Sequence, residues 1–336
     1  MKFYILFVIV LAFVLSSCIK EETPVQPYPR GDLETETIEM TAKYTNQVYF
    51  SFEKGQSVSS YIYDIWDLAF KSYGEDYYIM LNGAKFMEAA DMGEVAFESV
   101  TSRKDAPFRY DSTNGDYADY SIGKWWEDKD NSIISKKHVY IINRGNNTNN
   151  RKVGYVKFMV LGIENNEYKI RFANLDNSND YVIYVPRNEG INFTHISLDD
   201  GGKIVNIEPP SQSWDLLFNK YIAILLYEEE GNIDHLPYSV TGVTINDRYV
   251  EVGADTTLDF KSITIDDIPK FKFSKRPDCI GHEWKSFTLQ GESYTVRPEI
   301  NYILKDKNGF YWKFHFTFFY NEKGERGYPQ FDFKRL

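Results

Sequence analysis

Few side chains in this sequence could carry out chemistry. Its imidazoles and thiols are His138, His195, His235, His282 and His315, with Cys18 and Cys279. His282-Glu283 opens like a zinc-protease motif, but Ser286 stands where that motif needs its second histidine, one helical turn on. There is no Gly-x-Ser-x-Gly elbow to expose a nucleophilic serine, and no Gly-x-x-x-x-Gly-Lys loop to cradle phosphate. Asp128-x-Asp130-x-Ser132 supplies the first oxygens of a calcium loop, without its central Gly or closing Glu. Carboxylates are too numerous for spacing to select a glycosidase pair. The expectation is a protein that is not an enzyme.

Cys18 has a context. After Met1-Lys2, residues Phe3 to Leu15 form an unbroken apolar run of 13. A spanning helix needs about 20 residues, so the run reads as the core of a signal peptide, residues 1–17. It ends in Leu15-Ser16-Ser17-Cys18, which resembles the lipobox of bacterial lipoproteins. Cys18 is then the lipid-attachment site (diacylglycerol on the thiol, palmitate-type acylation of the new amine), and two or more chains anchor stably. Ile19-Lys20-Glu21-Glu22 looks like a surface-export signal of Gram-negative anaerobes, which predicts a lipid-anchored, surface-exposed outer-membrane protein. Pro24, Pro27, Pro29 and Gly31 make residues 18–32 an extended tether. Cys279 is left as a free thiol, and Pro277, Asp278 and Gly281 predict a loop around it.

The elements that position these residues read as strands. The 336 residues are 43% hydrophobic and 26% charged, a globular composition. The net charge of -11 without a basic block argues against a nucleic-acid surface. Tyr (26) and Phe (24) are abundant and favour pleated surfaces. Val48, Phe50 and Phe52 alternate with polar neighbours, as do Tyr168, Ile170 and Phe172. Phe310, Trp312, Phe314, Phe316, Phe318 and Tyr320 are expected on one face, with Lys313, His315 and Thr317 toward water. Asn165-Asn166 and Asn308-Gly309 suit tight hairpin turns. No helical stripe with caps appears, so the fold class is mainly β.

The plan occurs twice. Phe50 to Gly55 precedes Trp66-Asp67-Leu68-Ala69-Phe70, and Ile196 to Gly201 precedes Trp214-Asp215-Leu216-Leu217-Phe218. Tyr140-Ile141-Ile142 with Tyr155-Val156-Lys157-Phe158 returns as Tyr302-Ile303-Leu304 with Tyr311-Trp312-Lys313-Phe314. A tandem duplication with its seam near Pro186 to Gly190 predicts two antiparallel β domains, 33–188 and 189–336. Trp66 should then correspond to Trp214, and Phe52 to Leu198.

These blocks resemble the HmuY family of haem-binding surface lipoproteins. The first copy matches through Tyr49 to Gly55, Trp66 to Phe70, Leu81-Asn82-Gly83 and Gly93 to Phe97. The second matches through Trp214 to Phe218, Trp284-Lys285-Ser286-Phe287, Tyr302 to Lys305 and Tyr311 to Phe314. The ending Phe319 to Glu325 with Gly327-Tyr328-Pro329 is similar to the longer members. The resemblance implies haem capture for iron acquisition, from host haemoproteins and on to an outer-membrane receptor, without catalysis. It implies two axial histidines, one of them two residues past Trp-x-x-Phe, where Leu289 stands here. The other lies ahead of the first strand of the second block, and Asn131 to Ser135 contain no histidine. Haem iron takes lone pairs from His or Met, so the candidate ligands are His282, His138 and Met92, with Met87 behind them. A second reading is a glycan- or protein-binding surface module on the same fold, served by loops such as Asn146 to Asn150.

Overall fold

The structure, a computed structural model, describes residues 31–130, 132–229, 232–288 and 293–336, with the backbone alone for 226–229 and 232–235. The expected signal peptide, Cys18, nearly all of the expected tether, Asn131 and Leu289 lie outside the described residues, as does the His235 side chain.

Alternating sequence becomes strand throughout, and the helical pieces are short 3-10 turns. In chain order the strands are β1 (Glu34–Thr37), β2 (Asn46–Ser51), β3 (Gln56–Ile62), β4 (Leu68–Lys71), β5 (Ile79–Leu81) and β6 (Glu88–Glu94). Then come β7 (Trp126–Lys129), β8 (Ser132–Ser135), β9 (His138–Asn143), β10 (Tyr155–Glu164), β11 (Glu167–Asn174) and β12 (Tyr181–Pro186). The second half holds β13 (Phe193–Ser197), β14 (Lys203–Val205), β15 (Leu216–Glu229), β16 (Asn232–Ile245) and β17 (Glu251–Asp255). It ends with β18 (Lys285–Thr288), β19 (Ser293–Val296), β20 (Asn301–Lys305), β21 (Tyr311–Tyr320) and β22 (Arg326–Arg335).

Among the described residues every strand pairing is antiparallel. Two five-stranded sheets, β12-β11-β10-β9-β6 and β1-β22-β21-β20-β17, repeat one plan, and β7-β8 and β18-β19 are matching hairpins. Asn165 and Asn166 turn β10 into β11 with positive φ of 51° and 62°, a backbone that Asn tolerates.

Packing crosses the boundary expected at 188/189. β2 pairs with β15 of the second repeat, and β13 pairs with β4 of the first. One core accordingly joins Ile38, Phe50 and Phe52 to Phe218, Phe314 and Phe331. The other joins Leu68, Phe70, Tyr140 and Phe158 to Ile196 and Leu198. Each repeat lends its opening strand to the other. The same hydrogen bonds recur at both exchanges. Asp67 Oδ2 accepts the Leu198 N–H at 2.7 Å, and Asp215 Oδ2 accepts the Phe52 N–H at 2.7 Å. Asn82 Nδ2 donates to the carbonyls of Tyr63 and Trp66, and Asn246 Nδ2 to those of Ser211 and Trp214. Trp66 and Trp214 thus hold corresponding places, as do Phe52 and Leu198.

Two details of β21 differ from the expected alternation. Register shifts at Phe316/Phe318 and Phe318/Tyr320 turn Phe318 outward (51% exposed) and bury Phe319 instead. Lys313 does not face water. Its ammonium is buried and donates to the carbonyls of Phe260 and Ile263, at 2.8 and 2.9 Å, under the Phe260 ring. Lys157 in β10 repeats this, donating to the Val100 carbonyl at 3.2 Å under the ring of Phe97. A second face is therefore covered in each sheet, and the lysine serves carbonyls that would otherwise be orphaned.

Candidate functional site

In the first repeat, β6 runs antiparallel to β9, with Asp91 opposite Tyr140. Residues on one strand share a face every second position, so His138 lies on the Tyr140 face. The register slips between Asp91 and Glu94, where Gly93 has φ 76°. That bulge lets the Asp91 carboxylate reach the imidazole, and its two oxygens lie 3.0 and 2.9 Å from His138 Nδ1. An Nδ1–H donated to a carboxylate leaves the lone pair on Nε2, which has no protein hydrogen bond among the described residues. The side chain of His138 is 30% exposed.

The pair opens into a cleft of about 260 Å³ whose walls include Ala89, Tyr120, Ile122 and Tyr140. Three cations border it: Arg109, Lys124 and Lys136. Lys124 is spent on Asp128 at 2.9 Å. Lys136 Nζ and Arg109 Nη2 donate to backbone carbonyls, of Lys124 and Asp119, and make no ion pair among the described residues. The cleft thus offers one imidazole with a carboxylate behind it and two uncommitted cations. Such a donor set suits a metal-bearing ligand that carries carboxylates of its own.

The other expected ligands lie elsewhere. Met92 is one residue from Asp91, so alternation turns it away from the histidine. It packs with Phe97, Val139, Ile141 and Met159, while Tyr140 packs in the separate core on its own face. Met87 is wholly buried in that core. His282 is half-buried in the second repeat, beside Gly281, which bridges to Val243. Burial, then Lys285, lower the pKa of His282. It does not line the cleft that holds His138. His315 stacks on Phe260 at 3.8 Å and has a packing role. Among the described residues no group of three His, Cys, Asp or Glu is placed to hold a metal ion, and no helix is long and apolar enough to cross a membrane.

Sequence reasoning missed Asp91. Its signal was there, one residue from Met92, but only the pairing of β6 with β9 shows which neighbour meets the histidine. His195 was also passed over. It is 5% exposed in a cavity between the repeats, and burial drives its pKa down to about 3.

A protein family described as HmuY protein matches residues 43–186 and again 191–333. Among solved structures, apo PinO from Porphyromonas gingivitis is 10% identical, with 91% of this chain and 98% of that chain covered and a TM-score of 0.27. A candidate HmuY-like heme binding protein from Bacteroides vulgatus is 10% identical over 90% and 94%, with a TM-score of 0.24. An apo HmuY analog from Tannerella forsythia is 15% identical over 50% and 89%, with a TM-score of 0.22. No curated protein matches the chain.

Proposed function

The chain belongs to the HmuY family, in two tandem copies, and from that membership we propose that it is a lipid-anchored outer-membrane protein that binds haem without catalysis. Its work is haem capture, from host haemoproteins toward an outer-membrane receptor. The observation that carries this reading is the Asp91–His138 pair at the wall of the first-repeat cleft. When bound, haem would supply an iron centre able to take one imidazole lone pair. His138 Nε2 would be that ligand. Asp91 would fix the ring and raise its basicity. Lys136 and Arg109 would meet the two propionates. The cleft is smaller than the roughly 300–1,000 Å³ of ordinary ligand pockets, so the macrocycle would lie partly outside it. His138 would supply one ligand to the iron, and Met92 and His282 do not line the cleft beside it.

A haem titration of the purified chain, followed by absorption, tests this. Wild type should give a shifted Soret band that saturates at one haem per chain. His138→Ala should lose it, and His282→Ala should keep it. A wild type without a Soret shift in either redox state would sink the haem reading. A wild-type spectrum in His138→Ala would sink this ligand.

A further inference from the structure

We propose that the cavity between the two Trp-Asp loops binds a small organic cation, a primary amine of about six non-hydrogen atoms or fewer. The cavity measures about 130 Å³. A hole of roughly 150 Å³ accepts a benzene ring, which sets that size. It lies on the seam where the repeats exchange strands. Trp214 of one repeat meets Tyr49 of the other edge to face at 4.8 Å, and Trp66 meets His195 in the same way at 4.8 Å. Tyr61 extends the aromatic wall. Ring faces carry negative potential and attract cations.

Unanswered acceptors point the same way. Gln47 Oε1, Asn192 Oδ1 and Asn219 Oδ1 are buried without a partner, on residues that line this cavity. The three residues are 3%, 2% and 9% exposed. Each amide nitrogen is already used: on the Lys220 carbonyl, on Asn246 Oδ1 and on Thr244 Oγ1. These oxygens require a donor, while the indole N–H groups of Trp66 and Trp214 on the same lining are also unanswered and would take an acceptor such as the hydroxyl oxygen of ethanolamine. An ammonium group is donors only.

The charge balance selects a cation over a neutral donor. The lining holds three carboxyls, Asp111, Glu208 and Asp247, against a single lysine, Lys220, which sits over the Tyr63 ring at 4.9 Å. Glu208 accepts the N–H groups of Asn192 and Phe193, at 2.7 and 2.9 Å, and has no cationic partner among the described residues. The Trp214 indole N–H favours its charged form but closes no good hydrogen bond. A buried carboxylate without a counter-charge is costly, so burial pushes Glu208 up to about 8. His195 stays neutral and does not fill that role. A bound ammonium would supply the missing positive charge and offer its three N–H donors to the unanswered oxygens. An anion would find Lys220 as the single lysine of the lining, and a polyol would leave Glu208 without a counter-charge.

The inference is independent of haem. Calorimetric titration of the purified chain with ethanolamine and putrescine tests it, with glycerol and acetate as isosteric controls. Saturable heat is expected from an amine and from neither control. Glu208→Gln keeps one of the two oxygens that accept the Asn192 and Phe193 N–H groups and removes the charge, so it should weaken the amine about tenfold or more with an unchanged far-ultraviolet spectrum. Three results would overturn the proposal: no saturable heat from either amine at millimolar concentration, glycerol binding as tightly as ethanolamine, or wild-type affinity in a folded Glu208→Gln.

Discussion

The Asp215 carboxylate accepts the backbone N–H of Phe52 at 2.7 Å, across 163 residues of sequence and from one repeat to the other. Its counterpart Asp67 does the same for Leu198 but differs in its surroundings. Asp67 is clamped by Arg144 at 2.7 Å and Lys85 at 2.5 Å. Among the described residues Asp215 has no such clamp. Burial, with a contribution from Asp306 at the place that corresponds to Arg144, pushes it up to about 7.

This difference gives a pH prediction. A carboxyl whose folded pKa lies above its unfolded value of about 3.9 binds more protons in the fold. Its contribution to stability is full below about 3.9 and is lost as pH rises toward 7. Asp215→Asn removes that titration and keeps an acceptor for Phe52. Its urea midpoint, compared with wild type, should gain between pH 5 and pH 8. A constant difference across that range would show that Asp215 does not titrate there.

If His138 holds haem as proposed, Asp91→Asn should weaken that binding about 10- to 100-fold, because a carboxylate hydrogen-bonded to a metal-binding imidazole orients the ring and raises its basicity. Competition against a haem-binding reference protein measures it. Equal affinity in the variant would separate the Asp91–His138 pair from haem.

Lys313→Met keeps most of the side-chain volume but leaves the carbonyls of Phe260 and Ile263 without their donor. The expected loss is about 1–3 kcal/mol. Denaturant unfolding reads it directly, and no change would mean that water replaces the ammonium.

Cys279 lies in a loop, as its neighbours suggest, and is half-buried against the core that contains Trp284. Burial pushes its thiol up to about 12, so thiolate is scarce at neutral pH. A chain with Cys18 replaced should react with a thiol reagent only slowly when native, and with one equivalent after unfolding. Rapid native labelling would place the thiol in solvent.

Cys18→Ala should leave the precursor uncut and release the protein from membranes, because the thiol would carry the lipid. Mass spectrometry of the membrane fraction decides it. A variant that stays in the detergent phase at unchanged mass would place the anchor elsewhere.

The sequence by itself determined the strand class, the tandem repeat and most of the aromatic core. Period-two alternation is a local property, and Phe50, Phe52, Tyr168 and Phe172 are all buried as it requires. Strand partners are not local. Each opening strand has the same apolar face for either repeat, and only the completed packing sent Phe52 to Phe314 and Phe333, at 5.2 and 5.5 Å, in the other half. The same holds at the cleft. Met92 and Asp91 are adjacent in sequence, but a strand turns neighbours to opposite faces, so pairing and the bulge after Asp91 gave His138 a carboxylate in place of a thioether. In β21, bulges that no single strand pattern encodes moved Phe318 out and Phe319 in. The seam cavity is the least legible feature of all. Its walls come from Tyr49, Trp66, His195 and Trp214, which meet because the repeats trade strands and for no reason that their own neighbours supply.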